Sequence, residues 1–417
     1  MIKKIKLKNF KNFNDLEISL GNFNVVIGAN ASGKSNFVQI FRFLKEVKTE
    51  GLNNAISMQG GVDYLRNINI PLNENFTICI VFGKKFTKTI EERNIEIRIE
   101  ETVYEFALRF KGKQKGGPGF EISEDRLSQK CEFFDKNNGE KIGEGTISLI
   151  NEKGKIEVFP EGLDRICIKE EDIYPRLSIL KTFKEDKLSP NALLFQNSLY
   201  MSAFLQDMDN IFNRISIYDF DPKLAKKATP ISGKAELEED GSNLSIVLKN
   251  IMENKEERRR LFNLVKNVLP FINNIDIDKS MDKSLLLKFQ EIYFSNTFLP
   301  ASLISDGTIN ITGLIIALYF KEDILTIIEE PERNIHPSLI SKIVLMMKEA
   351  SEKKQIIVTT HNPEIIKYAG LENIFLLSRD RKGFSTISKP PDKEEVKIFL
   401  KNEIGIEELF VQNLLGI

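Results

Sequence analysis

Hydrophobic and polar residues alternate with two different periods along the chain, and the first change of period comes early. Ile2–Leu7 alternates apolar residues with lysine, and Asn24–Ile27 is an apolar run that ends at a glycine. These patterns predict two short strands within residues 1–27. Residues 34–47 carry apolar side chains at helical spacing. The chain therefore opens with a predicted strand, a glycine-rich turn and a helix.

The middle of the chain changes from period two to a helical period. Apolar and polar residues alternate between about 73 and 160, and Asn137-Asn138-Gly139 has the residues of a tight hairpin. This stretch is predicted to form an antiparallel meander. Helical spacing dominates from about 170 to 270, as in Leu193–Ile215 and Leu244–Val268.

The last part of the chain alternates strands with helices. The pattern predicts a strand at Leu285–Phe294, helices at 308–320, 337–350 and 363–369, and strands at 324–328, 355–359 and 373–377. Such alternation is typical of a parallel sheet covered by helices. We predict an α/β fold in which one domain is split by an insertion that begins near residue 60 and ends near 300.

Composition and charge narrow the functional classes. The 417 residues include 59 basic and 60 acidic side chains, so binding to nucleic acid or an acidic membrane would require a local patch. Cys79, Cys131 and Cys167 have no paired spacing and are predicted to be buried or incidental thiols. Neither a signal peptide nor a run of 18 apolar residues occurs, and we expect a cytoplasmic protein.

A glycine-rich motif follows the second predicted strand. Residues 28–35 fit the pattern G-x-x-x-x-G-K-S between a strand and a helix. Backbone N–H groups of such a loop surround phosphate oxygens, and the helix N-terminus adds partial positive charge. Lys34 would reach the β- and γ-phosphates, and the Ser35 hydroxyl would bind Mg²⁺. The predicted ATP-binding residues are Gly28, Ala29, Asn30, Ala31, Ser32, Gly33, Lys34, Ser35 and Asn36.

Two carboxylates, Glu329 and Glu330, end the apolar run 324–328. Ligands of parallel sheets bind beyond the carboxyl ends of the strands. We assign Mg²⁺ binding to Glu329, and to Glu330 the orientation and deprotonation of an attacking water. The alternative is a pair of solvated loop acids.

The chain has two histidines, and both flank this predicted site. His361 follows the strand at 355–359 and would reach the same sheet edge, whereas His336 lies six residues after Glu330. A neutral imidazole near the γ-phosphate would donate a hydrogen bond to it and position the water. The alternative for a lone histidine is a structural role.

Ser305-Asp306-Gly307-Thr308 precedes the predicted helix 308–320. A serine and a glycine at a helix start form either a small anion site or a plain helix cap. Spacing alone does not separate these two alternatives.

The order of these motifs resembles a known family, the AAA-family predicted ATPases related to RecF, SMC and OLD proteins, which have an ABC-type head. The segments that carry this resemblance are 5–13, 28–36, 240–244, 305–308, 329–337, 359–363 and 405–410. It implies an α/β, ABC-type P-loop head with a β-meander lobe and a helical insertion. The implied domains are the head at 1–60 and 300–417, an antiparallel β lobe at 61–165 and a mainly helical insertion at 166–299.

The resemblance also implies a mechanism that needs two copies of the chain. In a head-to-tail homodimer, each ATP is held between the phosphate loop of one subunit and the signature motif of the other. Ser305, Asp306 and Gly307 occupy the signature position, so Ser305 would bind the γ-phosphate across the dimer. The implied catalytic residues are Glu330, His361 (at the position of the switch histidine) and Lys34. The segment Asn334–Pro337 would link the two sites.

This sequence departs from the family's pattern at two positions. Glu329 stands where aspartate is common, and its longer side chain can still bind Mg²⁺. The family expects a glutamine after the first helix, and Gln59 is the nearest candidate.

Features of relatives that this chain lacks narrow its role. No sustained heptad pattern occurs, so a ring of the SMC type is not expected. The 56 residues after His361 are too few for the nuclease domain of OLD proteins.

Three hypotheses remain for the chain's role. It is a dimeric ATPase that acts on DNA, an ATP-dependent sensor or scaffold for a separately encoded effector (a nuclease or toxin in phage defence), or an assembly protein that barely hydrolyses ATP. Candidate DNA contacts, whose alternative is a solvated face, are Lys3, Lys4, Lys6, Lys8, Lys11 and Arg258–Arg260.

Overall fold

The computed structural model describes residues 1–83, 85–111, 119–163, 173, 188–197, 211–294, 297–390 and 406–411. Cys167, Gly405 and most of the predicted helix Leu193–Ile215 lie outside these ranges. Its helices are α1 (Lys34–Glu50), α2 (Leu52–Met58), α3 (Val62–Leu65), α4 (Pro222–Ala225), α5 (Leu244–Glu253), α6 (Lys255–Val268), α7 (Asp306–Tyr319), α8 (Ile340–Ala350), α9 (Pro363–Ala369) and α10 (Ile406–Val411).

Eighteen strands lie in the described ranges. They are β1 (Ile2–Phe10), β2 (Phe13–Ser19), β3 (Phe23–Ile27), β4 (Phe76–Phe82), β5 (Phe86–Ile90), β6 (Ile95–Phe110), β7 (Phe120–Asp135), β8 (Lys141–Glu152), β9 (Lys155–Glu161), β10 (Ile215–Tyr218), β11 (Thr229–Pro230), β12 (Ile272–Lys279), β13 (Ser284–Glu291), β14 (Leu299–Pro300), β15 (Leu325–Glu329), β16 (Gln355–Thr360), β17 (Ile374–Arg379) and β18 (Ser385–Ser388). Short 3₁₀ turns are Glu91–Arg93, Leu194–Gln196, Ala301–Leu303, Pro337–Leu339 and Leu371–Asn373.

The chain divides into two compact units. Unit 1 consists of residues 1–20, 35–213 and 379–387. Unit 2 consists of residues 21–34, 214–378 and 388–417. Both units are discontinuous in sequence. The division into head, lobe and insertion stays a prediction.

Unit 1 contains an antiparallel sheet with the strand order β2-β1-β4-β6-β7-β8-β9, in which β5 also pairs with β6. The predicted meander is confirmed, since β4 to β9 pair in antiparallel fashion. The prediction of only two strands in residues 1–27 is wrong, because Phe13–Ser19 also alternates buried and exposed residues and pairs with β1. Period two places alternate side chains on the buried face of each strand.

Two cysteines of unit 1 lie in this sheet, and neither is in a disulfide. Burial raises the pKa of Cys79 to about 11 and that of Cys131 to about 12. Both thiols therefore stay protonated at neutral pH, which makes them poor nucleophiles and metal ligands.

A buried carboxyl connects the sheet of unit 1 to the segment around Leu194. Asp125 accepts hydrogen bonds from Tyr104 Oη (2.7 Å), Asn151 Nδ2 (2.8 Å) and the Leu194 N–H (2.7 Å). Burial raises the pKa of Asp125 to about 7, against these three hydrogen bonds, which favour the ionised form.

This carboxyl makes the stability of the protein depend on pH. Because the pKa of Asp125 in the folded state is above the ordinary aspartate value of 3.8, the folded state binds more protons than the unfolded state between about pH 4 and 7. The Asp125 contribution to the free energy of unfolding is therefore present below about pH 4 and is lost as pH rises to 7, at about 1.4 kcal/mol per pKa unit. We expect the melting temperature of wild type to fall relative to that of Asp125→Asn between pH 5 and pH 8. Parallel pH profiles of the two proteins would contradict this.

Unit 2 contains five parallel strands in the order β10-β15-β16-β3-β17. The central strands are buried along nearly their whole length, as expected for a sheet covered on both faces. The predicted parallel sheet of the C-terminal part is thus confirmed. A second, antiparallel sheet has the order β11-β13-β12, with β14 paired to β13.

The segment predicted as a mainly helical insertion is a mixture in its described part. Ile215, predicted as helix, lies in β10, and strands β11 to β14 follow. The predicted helix Leu244–Val268 is two helices, because Asn254 has an extended backbone and caps α6 by accepting from the Glu256 and Glu257 N–H groups. Helical periodicity continues through this break, so the pattern alone could not show it.

Helix α7 is fixed at its C-terminal end by a buried lysine. Lys354 Nζ donates to the carbonyls of Ala317 (2.7 Å) and Lys321 (3.0 Å). Since these carbonyls lie at or beyond the helix end, the ammonium caps it. Among the described helices, none is long and apolar enough to cross a membrane.

Candidate active site

The phosphate loop follows β3 in unit 2 and adopts a conformation that its glycines permit. A Cβ atom on Gly28 would lie 2.4 Å from the Leu377 carbonyl oxygen and 2.5 Å from Ser32 Oγ, so no larger residue fits. Gly33 has φ 114° and Ala31 has φ 64°, both in the left-handed region. The loop turns tightly here, as the predicted motif requires.

Lys34 lies back over this loop. Its Nζ donates to the carbonyls of Gly28 (2.7 Å) and Ala29 (3.1 Å). Burial lowers the pKa of Lys34, while the charges of Glu330 and Glu332 act to raise it. The ammonium is thus held at the loop by two neutral carbonyls, which phosphate oxygens would replace with a stronger, charge-assisted interaction.

Strands β3, β16 and β15 are neighbours and parallel, so their carboxyl ends lie at one edge of the sheet. The phosphate loop follows β3, Glu329 ends β15, and His361 directly follows β16. The Glu330 N–H donates to the Thr359 carbonyl (2.8 Å), and Glu330 has φ 46°. The chain therefore turns sharply at Glu330 and directs its side chain to this edge.

Glu330 and His361 are in direct contact. His361 Nδ1 lies 2.9 Å from Glu330 Oε1, and Arg333 Nη2 lies 3.2 Å from Glu330 Oε2. Arg333 Nη1 also pairs with Asp219 (2.8 Å). When Glu330 is ionised, His361 donates a hydrogen bond to it from Nδ1. In a neutral ring, Nε2 is then an acceptor. Donation from Nε2 to a phosphate would require the protonated imidazolium. Neither Arg333 nor Asp219 was predicted from the sequence.

Glu332 is a second carboxyl at this edge, and it too was not predicted from the sequence. It is 8% exposed, and its Oε1 is hydrogen-bonded to the Thr360 hydroxyl. Burial raises its pKa, opposed by the hydrogen bond from Thr360. Its position two residues after the Glu329-Glu330 pair is the one feature of the sequence that could have indicated a role. Because glutamate is so often a surface residue, that position alone did not do so.

The signature segment forms the start of α7. Ser305 caps the helix by accepting from the Thr308 N–H (3.2 Å), and its Oγ lies 2.8 Å from Thr308 Oγ1. Asp306 forms an ion pair with Lys226. A Cβ on Gly307 would lie 2.6 Å from the Asn334 carbonyl oxygen. The cap is observed; the role of Ser305 across a dimer stays a prediction.

The signature helix is also connected to the turn after β15. Asn310 is buried, and its Nδ2 donates to the Arg333 carbonyl (2.6 Å). Together with the close approach of Gly307 and Asn334, this joins the start of α7 to the residues that follow Glu330. The Lys226–Asp306 pair spans 80 residues of sequence, so no local pattern could indicate it.

Two other predicted residues have structural contacts. His336 is exposed and caps a 3₁₀ turn by accepting from the Ser338 N–H (3.3 Å), so only one histidine is paired with Glu330. Gln59, in unit 1, is buried and donates from Nε2 to Glu46 (2.8 Å). Its place as the glutamine expected by the family stays a prediction.

The predicted Mg²⁺ ligands are Ser35, exposed near the start of α1, and Glu329, half-buried at the end of β15. A hydroxyl and a carboxylate are oxygen donors of the kind Mg²⁺ prefers. The described part of the chain holds no group of three or more His, Cys, Asp or Glu side chains suited to a metal. A bound Mg²⁺ would therefore need phosphate oxygens and water as further ligands.

Several candidate DNA-binding side chains have partners within the protein. Lys4 and Lys6 pair with Glu17 on the neighbouring strand. Arg258 and Arg260 lie on α6, the first over the ring of Phe262. The lysines of β1 are thus partly neutralised, which weakens the case for a basic track on this strand.

Comparisons with known proteins give a family match over most of the chain. The model of the AAA ATPase domain matches residues 1–366. A stretch of 53 residues, 12% of this chain, is 45% identical to Endonuclease GajA of Bacillus cereus (strain VD045) and covers 9% of that protein.

Two solved structures of SMC heads are also similar to this chain. The SMC head bound to the C-winged helix domain of ScpA is 17% identical, with 93% of this chain and 96% of that chain covered and a TM-score of 0.47. The SMC head domain from Thermotoga maritima is 14% identical, with 93% and 98% covered and a TM-score of 0.40. The fold is assigned from the strand order of unit 2 and the family match.

Proposed function

The chain belongs to the AAA ATPase domain family, and we propose that it binds ATP with Mg²⁺ and hydrolyses it to ADP and phosphate. The observation that carries this proposal is the Glu330–His361 pair, 2.9 Å apart, at the sheet edge where the phosphate loop and Lys34 also lie. Glu330 differs from a solvated loop acid because its side chain is 28% exposed and contacts both His361 and Arg333. Turnover of ATP by the purified chain, measured as phosphate release, tests the proposal.

The proposed reaction uses the residues as follows. Lys34 leaves the carbonyls of Gly28 and Ala29 and binds the β- and γ-phosphate oxygens. Glu330 accepts a proton from a water whose oxygen attacks the γ-phosphorus, while the bond from that phosphorus to the bridging oxygen of ADP breaks. His361 holds Glu330 in place through Nδ1, and its Nε2 is left to make a second hydrogen bond. Bound Mg²⁺, held by Ser35 and Glu329, would neutralise charge on the phosphate oxygens.

Both oxygens of Glu330 are occupied in this structure, Oε1 by His361 and Oε2 by Arg333. Each carboxylate oxygen has two lone pairs, so an attacking water can share an oxygen with its present partner or replace that partner. The Arg333 contact is the longer one, at 3.2 Å against 2.9 Å for His361. We expect Arg333 to be the group that gives way when ATP binds.

We further propose that two copies assemble head to tail, with Ser305 of one copy closing the ATP site of the other. This geometry predicts complementation. Ser305→Arg subunits keep an intact phosphate loop and Lys34→Ala subunits keep an intact signature, so a mixed dimer has one complete site. An equimolar mixture should recover about a quarter of wild-type turnover, since about half the dimers are mixed and each has one site of two. Each variant alone is the control, and an inactive mixture would contradict the geometry.

For the use of this hydrolysis we propose two candidates. The first is action on DNA; the second is control of a separately encoded effector, such as a nuclease or toxin in phage defence. Glu17 partly offsets the charges of Lys4 and Lys6, which counts against the first candidate, and the short similarity to Endonuclease GajA fits a nuclease as the effector of the second. Turnover with and without DNA at 50 and 200 mM salt separates them, because DNA stimulation would fall steeply with salt.

A further inference from the structure

We propose that Glu332 is a positioning residue that holds His361 against Glu330 by way of the Thr360 hydroxyl. This inference rests on the proposed ATP hydrolysis, because it concerns the same site. Glu332 is a buried carboxyl outside the predicted catalytic residues, and its proposed role is to keep the His361 imidazole in contact with Glu330.

The hydrogen bonds around Thr360 have a defined direction. Thr360 Oγ1 accepts from the Asn362 N–H (2.9 Å) and is bonded to Glu332 Oε1. A backbone N–H can only donate, so the single hydroxyl proton of Thr360 is free to be given to Glu332. The carboxyl therefore orients the hydroxyl, and the hydroxyl fixes the backbone on the far side of His361.

His361 lies between these two anchored residues. Thr360 is fully buried at the end of β16, and Asn362 caps α9 by accepting from the Glu364 N–H (2.8 Å). The His361 side chain itself is 56% exposed. An imidazole with so little packing around it takes its position from its backbone and from Glu330. The backbone is held through Thr360 by Glu332, and the side chain is held by Glu330. Glu330 and Glu332 are two residues apart, so both contacts come from the same turn.

These contacts close a ring. It runs from Glu332 to Thr360, through the backbone to His361, from His361 Nδ1 to Glu330, and back along the chain to Glu332. Opening the ring at Thr360 leaves Glu330 and the phosphate loop in place but frees the histidine. Displacing a catalytic group by about 1 Å can cost on the order of 100-fold in rate. A buried acid that only stabilised the fold would not have this specific effect.

Thr360→Val opens the ring with almost no change of volume, and the chain offers a matched control. Thr326 is equally buried on the neighbouring strand β15, and its hydroxyl has no hydrogen-bond partner in the described part of the protein. We expect Thr360→Val to lower kcat by about 10- to 100-fold while ATP affinity stays within about twofold of wild type. Thr326→Val should leave both unchanged, and Thr360→Ser, which keeps the hydroxyl, should restore kcat.

The second readout does not depend on hydrolysis. The chain has only two histidines, so ¹³C labelling of the imidazole Cε1 in the nucleotide-free full chain gives two NMR signals, which a His336→Gln variant assigns. Thr360→Val should move the His361 signal toward that of Glu330→Gln and leave the His336 signal in place. Glu332→Met, which removes the acceptor, should have the same effect, and adding it to Thr360→Val should change nothing further.

The outcomes separate the two proposals. Wild-type protein without ATP turnover would overturn the proposed function, while the NMR comparison would still test the positioning role. Active wild type with an unmoved His361 signal and undiminished kcat in a folded Thr360→Val or Glu332→Met protein would overturn the inference. A fall in melting temperature with both readouts unchanged would likewise reduce Glu332 to a structural residue.

Discussion

Lys34→Ala is expected to abolish ATP binding, with a loss of affinity of more than about 100-fold. The ammonium is the charged donor of the phosphate loop, and hydrogen bonds to charged groups contribute about 1.5–3 kcal/mol each. Two of them, to the β- and γ-phosphates, correspond to two or more orders of magnitude in Kd. Calorimetric titration with ATP and Mg²⁺ measures the effect directly.

The matched control is Lys223→Ala. Lys223 is an exposed lysine of unit 2 in α4, away from the loop in sequence, and its loss should leave ATP affinity unchanged. Lys34 has no acidic partner on the loop, only two carbonyls, so its removal should leave the folded protein intact. ATP binding by Lys34→Ala at wild-type affinity would end the assignment of residues 28–36 as a nucleotide site.

Glu330→Gln is expected to stop hydrolysis while leaving ATP bound. The amide is nearly the same size and can still meet His361 or Arg333, but it cannot accept a proton from water. Loss of a general base costs about 10²–10⁴-fold in kcat. Because the nucleotide then stays in place, the proposed ATP-bound dimer should accumulate, and light scattering with and without ATP should show a doubling of mass.

An acidic residue at the opposite edge of the sheet provides the control for this variant. Glu352 is exposed and precedes β16, whereas Glu330 lies beyond the carboxyl end of the neighbouring strand. Glu352→Gln should have wild-type turnover and no stable dimer. Normal hydrolysis by Glu330→Gln would remove Glu330 from its role. If turnover were very low in wild type and unaffected by the substitution, the third hypothesis, an assembly protein that barely hydrolyses ATP, would be favoured.

The elements that the sequence pattern predicted correctly are those with a strong local signal. Strand β16 and helix α9 begin and end within a residue of their predicted bounds, because an apolar run and an Asn-Pro helix start leave little choice. The errors occurred where the local signal was ambiguous. The break at Asn254 lies within continuous helical spacing, and β2 is short and polar on one face.

The site shows the same division. Gly28, Glu330 and His361 were recognisable because each directly follows a strand, and parallel strands bring their carboxyl ends together. Lys34 was recognisable from the phosphate-loop motif. Their partners were not recognisable. Arg333 pairs with Asp219 across 114 residues of sequence, and Lys226 pairs with Asp306 across 80.

By itself, the sequence determined the phosphate loop and the order of strands and helices around it, because these depend on spacing between neighbours along the chain. The family was indicated by the resemblance of its motifs. Only the tertiary structure decided which side chains act on Glu330. The contact of His361 with Glu330 and that of Glu332 with Thr360 depend on how β15 lies beside β16. Such contacts form when strands pair in space, and a linear pattern of polar and apolar residues does not show which strands pair.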